Sequence, residues 1–525
     1  MMRYNCIAAL QRYSSSHRIT LPKQQQYYGR MNMKRRWKAS ATAAAHDQHD
    51  EDQGNTNTKL EEALSITTQA STPLKPLKDS VTYTGNVTLP LTFDLKIVKP
   101  REYANGIFQN NQNEKFSGLW PVFRLLNEDG SSCCPDIPLK KKNLDQQDTL
   151  QQGQAIEEIQ SEAMTHEMYR YMIRLSTMDH ILESAQRQGR ISFYLQCRGE
   201  EAIHIGSASA LTLKDTIFGQ YREQGILMWR GFTLEQFTDQ CFSNERDLGR
   251  GRQMPVHYVS KALNFHAISS PLCTQLPHAV GAAYRMKLQY DQQDKHNIDI
   301  DNVSTDRGCA VVYFGEGAAS EGDFHAACNF AATLRAPVVF FCRNNGYAIS
   351  TPTTSQYSPN ADGIIGRAPG YGIPGIRVDG NDVFAVHAAT LAAKELAIRE
   401  NTPVLIEAMT YRMSHHSTSD DSTQYRDKTE IERWKEEGDP IVRLQNFMLQ
   451  RGYIEGDDVE AFRSQIAKEE RMAVMAAMKK SEAKKKPSLD TMFEDVYGDK
   501  PTHLLRQEKE MRAHLAKYPE HYKVG

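Results

Sequence analysis

A carboxylate set between glycines, Gly315-Glu316-Gly317-Ala318, is followed one helix and one strand later by Arg343-Asn344-Asn345-Gly346-Tyr347. Magnesium prefers octahedral oxygen ligands and takes few from protein when phosphates and water supply the rest. Glu316, the Asn345 side-chain oxygen and the Tyr347 carbonyl fit that count, and together they suggest a metal ion holding a diphosphate. Gly315 and Gly317 allow the backbone to pass close to an anion. Arg343 and Arg222, the latter within Gln220-Tyr221-Arg222-Glu223, offer guanidinium planes that bond two phosphate oxygens at once. Two other readings stay open on these residues. The glycines can form a plain tight turn. With Gly322 they also come near the dinucleotide fingerprint, although its third glycine is displaced and Arg343-Asn344-Asn345 stands where that fold wants an acid.

Two further clusters carry chemistry. His415-His416-Ser417-Thr418-Ser419-Asp420-Asp421 follows a strand-like run and begins a loop. Two histidines suit zinc, but no third or fourth ligand at the usual spacing is near. The stronger reading places His416 in an active site, as an imidazole that donates to phosphate or substrate and titrates near physiological pH. Ser269-Ser270-Pro271-Leu272-Cys273-Thr274-Gln275 is a hydroxyl-rich helix start, followed by the small residues Ala279, Gly281, Ala282 and Ala283 that favour close packing.

Elements must hold these groups together. The run 309–314 is short, β-branched and closed by glycine, so it reads as a buried strand. A helix is expected over 319–334, with its first N–H groups facing the anion, and a second buried strand over 337–342. Further on, 376–379 is strand-like, Asn381-Asp382 offers an N-cap for a helix over 383–400, and 404–408 is the next strand. This alternation between 202 and 410 predicts an α/β fold with a mostly parallel sheet covered by helices. A helical pattern also runs from Ile159 through Met168, Tyr171, Met172 and Leu175 to Leu182, its methionines assigned to the core. Beyond Thr429 the pattern is helical again, with Val459, Phe462 and Ile466 at helical spacing. The basic run 479–486 reads as a solvated helix end rather than a nucleic-acid patch.

Composition narrows the classes. The 525 residues carry 63 basic and 65 acidic side chains, a net −2 that gives no global field for nucleic acid or membrane. Nine cysteines show no metal-ligand spacing, and most lie in apolar contexts where a reduced buried thiol is usual. No apolar run approaches the roughly eighteen residues of a membrane-spanning helix. Basic residues from Arg3 to Lys38, with interspersed serines, all precede the first acid, Asp47. That composition predicts an organelle transit peptide over 1–46, with a disordered basic arm that binds an anionic partner as the other reading. The expected order continues with a disordered linker over 47–85 and an N-terminal docking segment over 86–163, which includes an exposed insertion at 127–153. A cofactor-binding domain over 164–430 and a helical C-terminal extension over 431–525 complete it.

At this point the motifs resemble a known family. Gly-Asp/Glu-Gly followed by Asn-Asn is the thiamin diphosphate-binding motif. The longer runs around it, 220–223, 268–272, 315–323 and 411–421, resemble the alpha subunits of branched-chain 2-oxoacid dehydrogenases, the decarboxylating component of a mitochondrial complex. The resemblance runs from about Arg190 almost to the C-terminus. It implies a thiamin diphosphate-binding fold, with Gln220, Tyr221, Arg222, Ser270, Leu272, Gly317, Ala318, Arg343 and His416 at the cofactor and His416 catalytic. It implies Glu316, Asn345 and Tyr347 as magnesium ligands, and Ser269, Pro271, Thr274 and Gln275 as a potassium site. Ser417 matches a regulatory phosphorylation site served by a kinase and a phosphatase, while Asp427 stands where the family has a second phosphoserine. The carboxylate that protonates the cofactor's aminopyrimidine comes, in the family, from a beta subunit in an alpha2beta2 heterotetramer. The expected activity is decarboxylation of branched-chain 2-oxoacids and acylation of a lipoyl group on a partner transacylase in the mitochondrial matrix. Glu316 and the 415–421 loop separate the chain from the pyruvate-specific relative, which usually has Gly-Asp-Gly. Intact Glu316, Asn345, Arg222 and His416 argue against a non-catalytic scaffold of the same fold.

Overall fold

The computed structural model describes residues 80–83, 87–92, 95, 119–132, 157–294, 307–455, 458–494 and 496–522. The chain divides into two units, Met1–Lys75 and Pro76–Gly525. The first, with the expected transit peptide and most of the expected linker, lies outside the described residues. So do Cys133, Cys134 and the lysines at 140–142.

The strands, in chain order, are β1 (Ser80–Tyr83), β2 (Val87–Thr92), β3 (Val122–Phe123), β4 (Thr216–Phe218), β5 (Ala310–Gly315), β6 (Val338–Asn344), β7 (Tyr347–Ala348), β8 (Thr351–Pro352), β9 (Gly375–Asp379) and β10 (Val404–Met409). Eight of them form one sheet in the order β1-β2-β3-β9-β10-β6-β5-β4. All its pairings are parallel except β1 with β2. The sheet is therefore the mostly parallel α/β sheet that the alternating pattern predicts. Strand β1 corrects one boundary, because Ser80–Tyr83 lies within the expected linker yet pairs with β2.

The helices used below are α1 (Glu162–Arg187), α2 (Glu201–Ser209), α3 (Gln224–Trp229), α4 (Leu234–Cys241), α5 (Gln275–Asp294), α6 (Gly322–Leu334), α7 (Val383–Glu400), α8 (Lys428–Glu437), α9 (Pro440–Gln450) and α10 (Val459–Glu482). Side chains alternate across a strand, and the central strands feed two cores. Val311, Tyr313, Val339 and Phe341 join Met168, Met172, Ile203 and Phe384 from α1, α2 and α7. Val312, Phe314, Phe340 and Cys342 join Leu276, Ala279, Phe324 and Cys328 from α5 and α6. The methionines of α1 are core, as expected. Cys197, Cys241, Cys273, Cys309, Cys328 and Cys342 are buried free thiols. Among the described residues no helix is long and apolar enough to cross a membrane.

Register brings the functional ends together. Gly315 pairs with Arg343, and Asn344 with Met409, so β5, β6 and β10 finish at one edge. Ligands of parallel α/β sheets bind at such carboxyl ends. Helix α7 starts where expected, its Asp382 side chain accepting from the N–H groups of Phe384 and Ala385. The same carboxylate accepts from Leu125 and Leu126, tying the segment after β3 to the sheet. Two expectations change. The expected helix over 319–334 is interrupted, because Glu321 is extended. A 3-10 turn, Glu316–Ser320, precedes α6, so the N–H groups nearest the glycines belong to that turn. The basic run 479–486 is only partly solvated. Lys484 bonds Glu235 and Asp239, and Lys486 donates to the Phe242 carbonyl, fixing the end of α10 against α4.

Candidate active site

Glu316 leaves β5 almost fully buried, at 2% exposure. Its Oε2 accepts from the Asn345 N–H at 3.4 Å and its Oε1 from Gln356 Nε2 at 3.3 Å. Burial raises its pKa, opposed by hydrogen bonds and by the charge of Arg412. A carboxylate whose burial is not fully compensated fits a cation. Asn345 Oδ1 accepts from the Tyr347 N–H at 3.3 Å, so that the turn after β5 and the segment after β6 bring the three expected metal residues side by side. A Cβ on Gly317 would lie 2.5 Å from the Ala348 Cβ, so glycine is required there by the β7–β8 hairpin. Ala318 is buried beside it. Among the described residues no three His, Cys, Asp or Glu side chains gather as a metal cage. A set of one carboxylate, one amide and one carbonyl is the alternative, and it suits a hard ion that keeps phosphate and water ligands.

The second row is charged. Arg343 Nη1 meets Glu200 Oε2 at 2.6 Å and its Nε meets Glu223 Oε1 at 3.0 Å, all three side chains being buried. Glu200 also accepts from Asn345 Nδ2 at 2.7 Å. Burial pushes the Glu200 pKa up, but Arg343, Arg222 and the Asn345 bond outweigh it and hold it at about 2. Glu223 Oε2 accepts from the Gln220 N–H at 2.8 Å, and Gln220 Oε1 accepts from the Gly315 N–H at 3.0 Å. Gln220 thereby braces the start of the Glu316–Ser320 turn.

His416 stands among guanidiniums. Arg222 Nη2 approaches its Nδ1 at 3.1 Å and Arg412 Nη1 at 3.3 Å, and Tyr221 meets the ring edge-on at 6.0 Å between centroids. Two donors on Nδ1 make it the acceptor and leave the ring proton on Nε2. Burial, then Arg222 and Arg412, lower its pKa to about 3. This corrects the expected titration near physiological pH, for His416 is a neutral donor in this setting. Arg412 itself is depressed to about 10 by burial, Arg222 and Arg426. Crowded guanidiniums with too few carboxylates fit an anion such as a diphosphate. Asp420 accepts from the His416 N–H at 2.8 Å and from the Tyr425 hydroxyl at 2.6 Å, which pins the 415–421 loop. Ser417 Oγ accepts from the Ser419 N–H at 3.3 Å. His415 Nδ1 accepts from the Ser422 N–H, so the pair of histidines faces different partners and zinc gains no support. Asp427 caps α8 by accepting from the Thr429 N–H at 2.8 Å.

The 269–275 segment lies against β5. Gln275 Nε2 donates to the Tyr313 carbonyl and Thr274 Oγ1 to the Pro271 carbonyl, both at 3.1 Å. Ser270 Oγ bonds His257 Nε2 at 2.7 Å, Ser269 is half-buried, and Leu272 is 38% exposed. Sequence reasoning gave no role to Glu200, Gln356 or Tyr425. Glu200 opens a helix far upstream, and only the folded sheet edge brings it to Asn345.

The dehydrogenase E1 component family matches residues 169–490. The chain is 51% identical over 404 residues to "2-oxoisovalerate dehydrogenase subunit alpha, mitochondrial" of Caenorhabditis elegans, covering 77% of this chain and 84% of that protein. It is 52% identical over 360 residues to the protein of that name in Dictyostelium discoideum, covering 68% and 77%. The human protein of that name is 52% identical over 355 residues, covering 68% and 75%. With a family model matching more than half of its length and relatives about half identical to it, the chain belongs to the dehydrogenase E1 component family.

Proposed function

We propose that this chain is the alpha subunit of a mitochondrial branched-chain 2-oxoacid dehydrogenase. Its relatives are named for 2-oxoisovalerate, the oxoacid of valine, and for the mitochondrion, which supports both substrate class and compartment. The reading is carried by the meeting of Glu316 and Asn345 with an excess of guanidinium at one sheet edge. Glu316, Asn345 and the Tyr347 carbonyl hold magnesium. Arg222, Arg343 and the N–H groups around Gly317 and Ala318 take the diphosphate, with Gln220 bracing the turn and Tyr221, Ser270 and Leu272 flanking the cofactor. When bound, thiamin diphosphate would supply a nucleophilic thiazolium carbon for the oxoacid carbonyl and a cationic ring to take up the electron pair left as carbon dioxide departs. His416, with its proton on Nε2, orients the anionic substrate or phosphate by donating to it. Ser269, Pro271, Thr274 and Gln275 form a potassium site that stiffens the turn against β5.

The subunit pairs with a beta subunit as alpha2beta2, passes its acyl group to a lipoyl-bearing transacylase, and is controlled by a kinase and phosphatase at Ser417. Residues 1–46 act as its transit peptide, 47–79 as a linker and 80–163 as a docking segment, before the cofactor domain 164–430 and the helical extension 431–525. The test is calorimetry of thiamin diphosphate on the assembled enzyme. Asn345→Ala should abolish magnesium-dependent binding while the far-ultraviolet circular dichroism is kept. Unchanged cofactor affinity would sink the metal assignment.

A further inference from the structure

Glu200 is a fully buried carboxylate at the N-terminus of α2, and its two oxygens serve two different partners. Oε2 meets Arg343 Nη1 at 2.6 Å and Oε1 accepts from Asn345 Nδ2 at 2.7 Å. An amide whose nitrogen is fixed has its oxygen fixed as well, on the opposite branch. That oxygen, Asn345 Oδ1, accepts from the Tyr347 N–H at 3.3 Å, and the Asn345 backbone N–H reaches Glu316 at 3.4 Å. Arg343 is held equally firmly, since Glu223 takes its Nε at 3.0 Å and its Nη2 at 2.8 Å.

We infer that Glu200 is a positioning residue that orients the Asn345 amide, so that its oxygen and not its nitrogen faces the metal, while the same carboxylate fixes Arg343 beside the diphosphate. The inference rests on the metal reading proposed above. Without Glu200 only the long bond from the Tyr347 N–H, at 3.3 Å, still favours the present orientation of the amide, and a nitrogen turned to the metal contributes no ligand. Partners that orient a ligating group govern metal affinity by about 10–100-fold in general. The bond to Arg343 adds a second consequence. Metal ligand and phosphate clamp share one support, so a change at Glu200 weakens the two together.

The test uses the assembled alpha–beta enzyme with thiamin diphosphate, and manganese(II) in place of magnesium, bound metal being counted by electron paramagnetic resonance. Glu200→Gln should weaken manganese binding by about 10–100-fold. Wild-type manganese affinity in Glu200→Gln would overturn the inference. Asn345→Asp gives a second arm that leaves Glu200 intact. A carboxylate is ordinarily the stronger ligand for a hard ion, but here it loses the donor that Glu200 accepts, so manganese should bind more weakly than to the wild type. Equal or tighter binding by Asn345→Asp would also overturn it, and this arm stands even if Glu200→Gln does not assemble. Failure of the metal reading looks different, for then Asn345→Ala alone keeps wild-type manganese affinity.

Discussion

At the scale of single residues, the most telling side chains are those burial has pushed away from their ordinary state. His204 lies fully buried in α2, and neither of its ring nitrogens has a partner among the described residues. Burial, opposed by Glu200, lowers its pKa to about 3. A histidine depressed in this way is neutral in the fold but takes a proton once unfolded, below about 6.5. Its contribution is therefore intact above that pH and is lost as pH falls from about 6.5 toward 3. His204→Leu removes both this acid sensitivity and an unsatisfied polar group, a burial cost of about 1–3 kcal/mol. The variant should melt higher at neutral pH and lose less stability between pH 6.5 and 4, measured by calorimetry. A lower melting temperature across that range would show that the ring has a partner worth keeping. Nothing in the sequence around His204 signals this, since its burial depends on α3 packing across it. Glu316 and Asn345, by contrast, were legible because glycines and a paired amide at the ends of two buried strands are chemically specific.

At the scale of elements, the strands β5, β6, β9 and β10 and the cap of α7 could be read directly, because alternation, β-branching and Asp at an N-cap are local signals. The break at Glu321 could not, as the 3-10 turn answers to Ala348 and Gln356 across the hairpin rather than to its own sequence. Asp382 illustrates how much one cap can do. It caps α7 and also receives the N–H groups of Leu125 and Leu126. Asp382→Ala should cost about 2–4 kcal/mol, the sum of a lost cap and of buried donors left bare. Chemical denaturation would read this as a lower midpoint, and a loss under about 0.5 kcal/mol would mean water replaces the carboxylate. The loop after β10 depends on Asp420, which holds the His416 N–H and the Tyr425 hydroxyl. A phosphate on Ser417 adds about −1.5 to −2 charges close to that carboxylate. Ser417→Glu should therefore loosen the loop and cut transfer to the lipoyl partner before cofactor affinity falls. Full complex activity in that variant, or in enzyme stoichiometrically phosphorylated at Ser417, would refute it. Asp427 is already committed to capping α8, so control by phosphate should rest on Ser417.

At the scale of the whole molecule, the buried and half-buried carboxylates around the guanidinium cluster are each engaged. Glu200 serves Arg343 and Asn345, Glu223 serves Arg343 and Gln220, and Asp420 serves His416 and Tyr425. Glu316 is the acid assigned to the metal, and Glu407 is taken by Arg377 and Asn344. None of these five is free to protonate an aminopyrimidine. The chain should accordingly bind thiamin diphosphate weakly or not at all by itself and should not decarboxylate any 2-oxoacid. The expectation is that a beta subunit supplies that acid. The check is turnover of 3-methyl-2-oxobutanoate by purified alpha chain, with thiamin diphosphate, magnesium and an artificial electron acceptor, before and after adding beta subunit. Activity should appear only in the mixture and saturate at equal amounts of the two chains. Robust turnover by alpha alone would mean that one of the engaged carboxylates leaves its partner when the cofactor binds. Glu223 would then be the first to test, because Gln220 and Arg343 each keep other bonds without it.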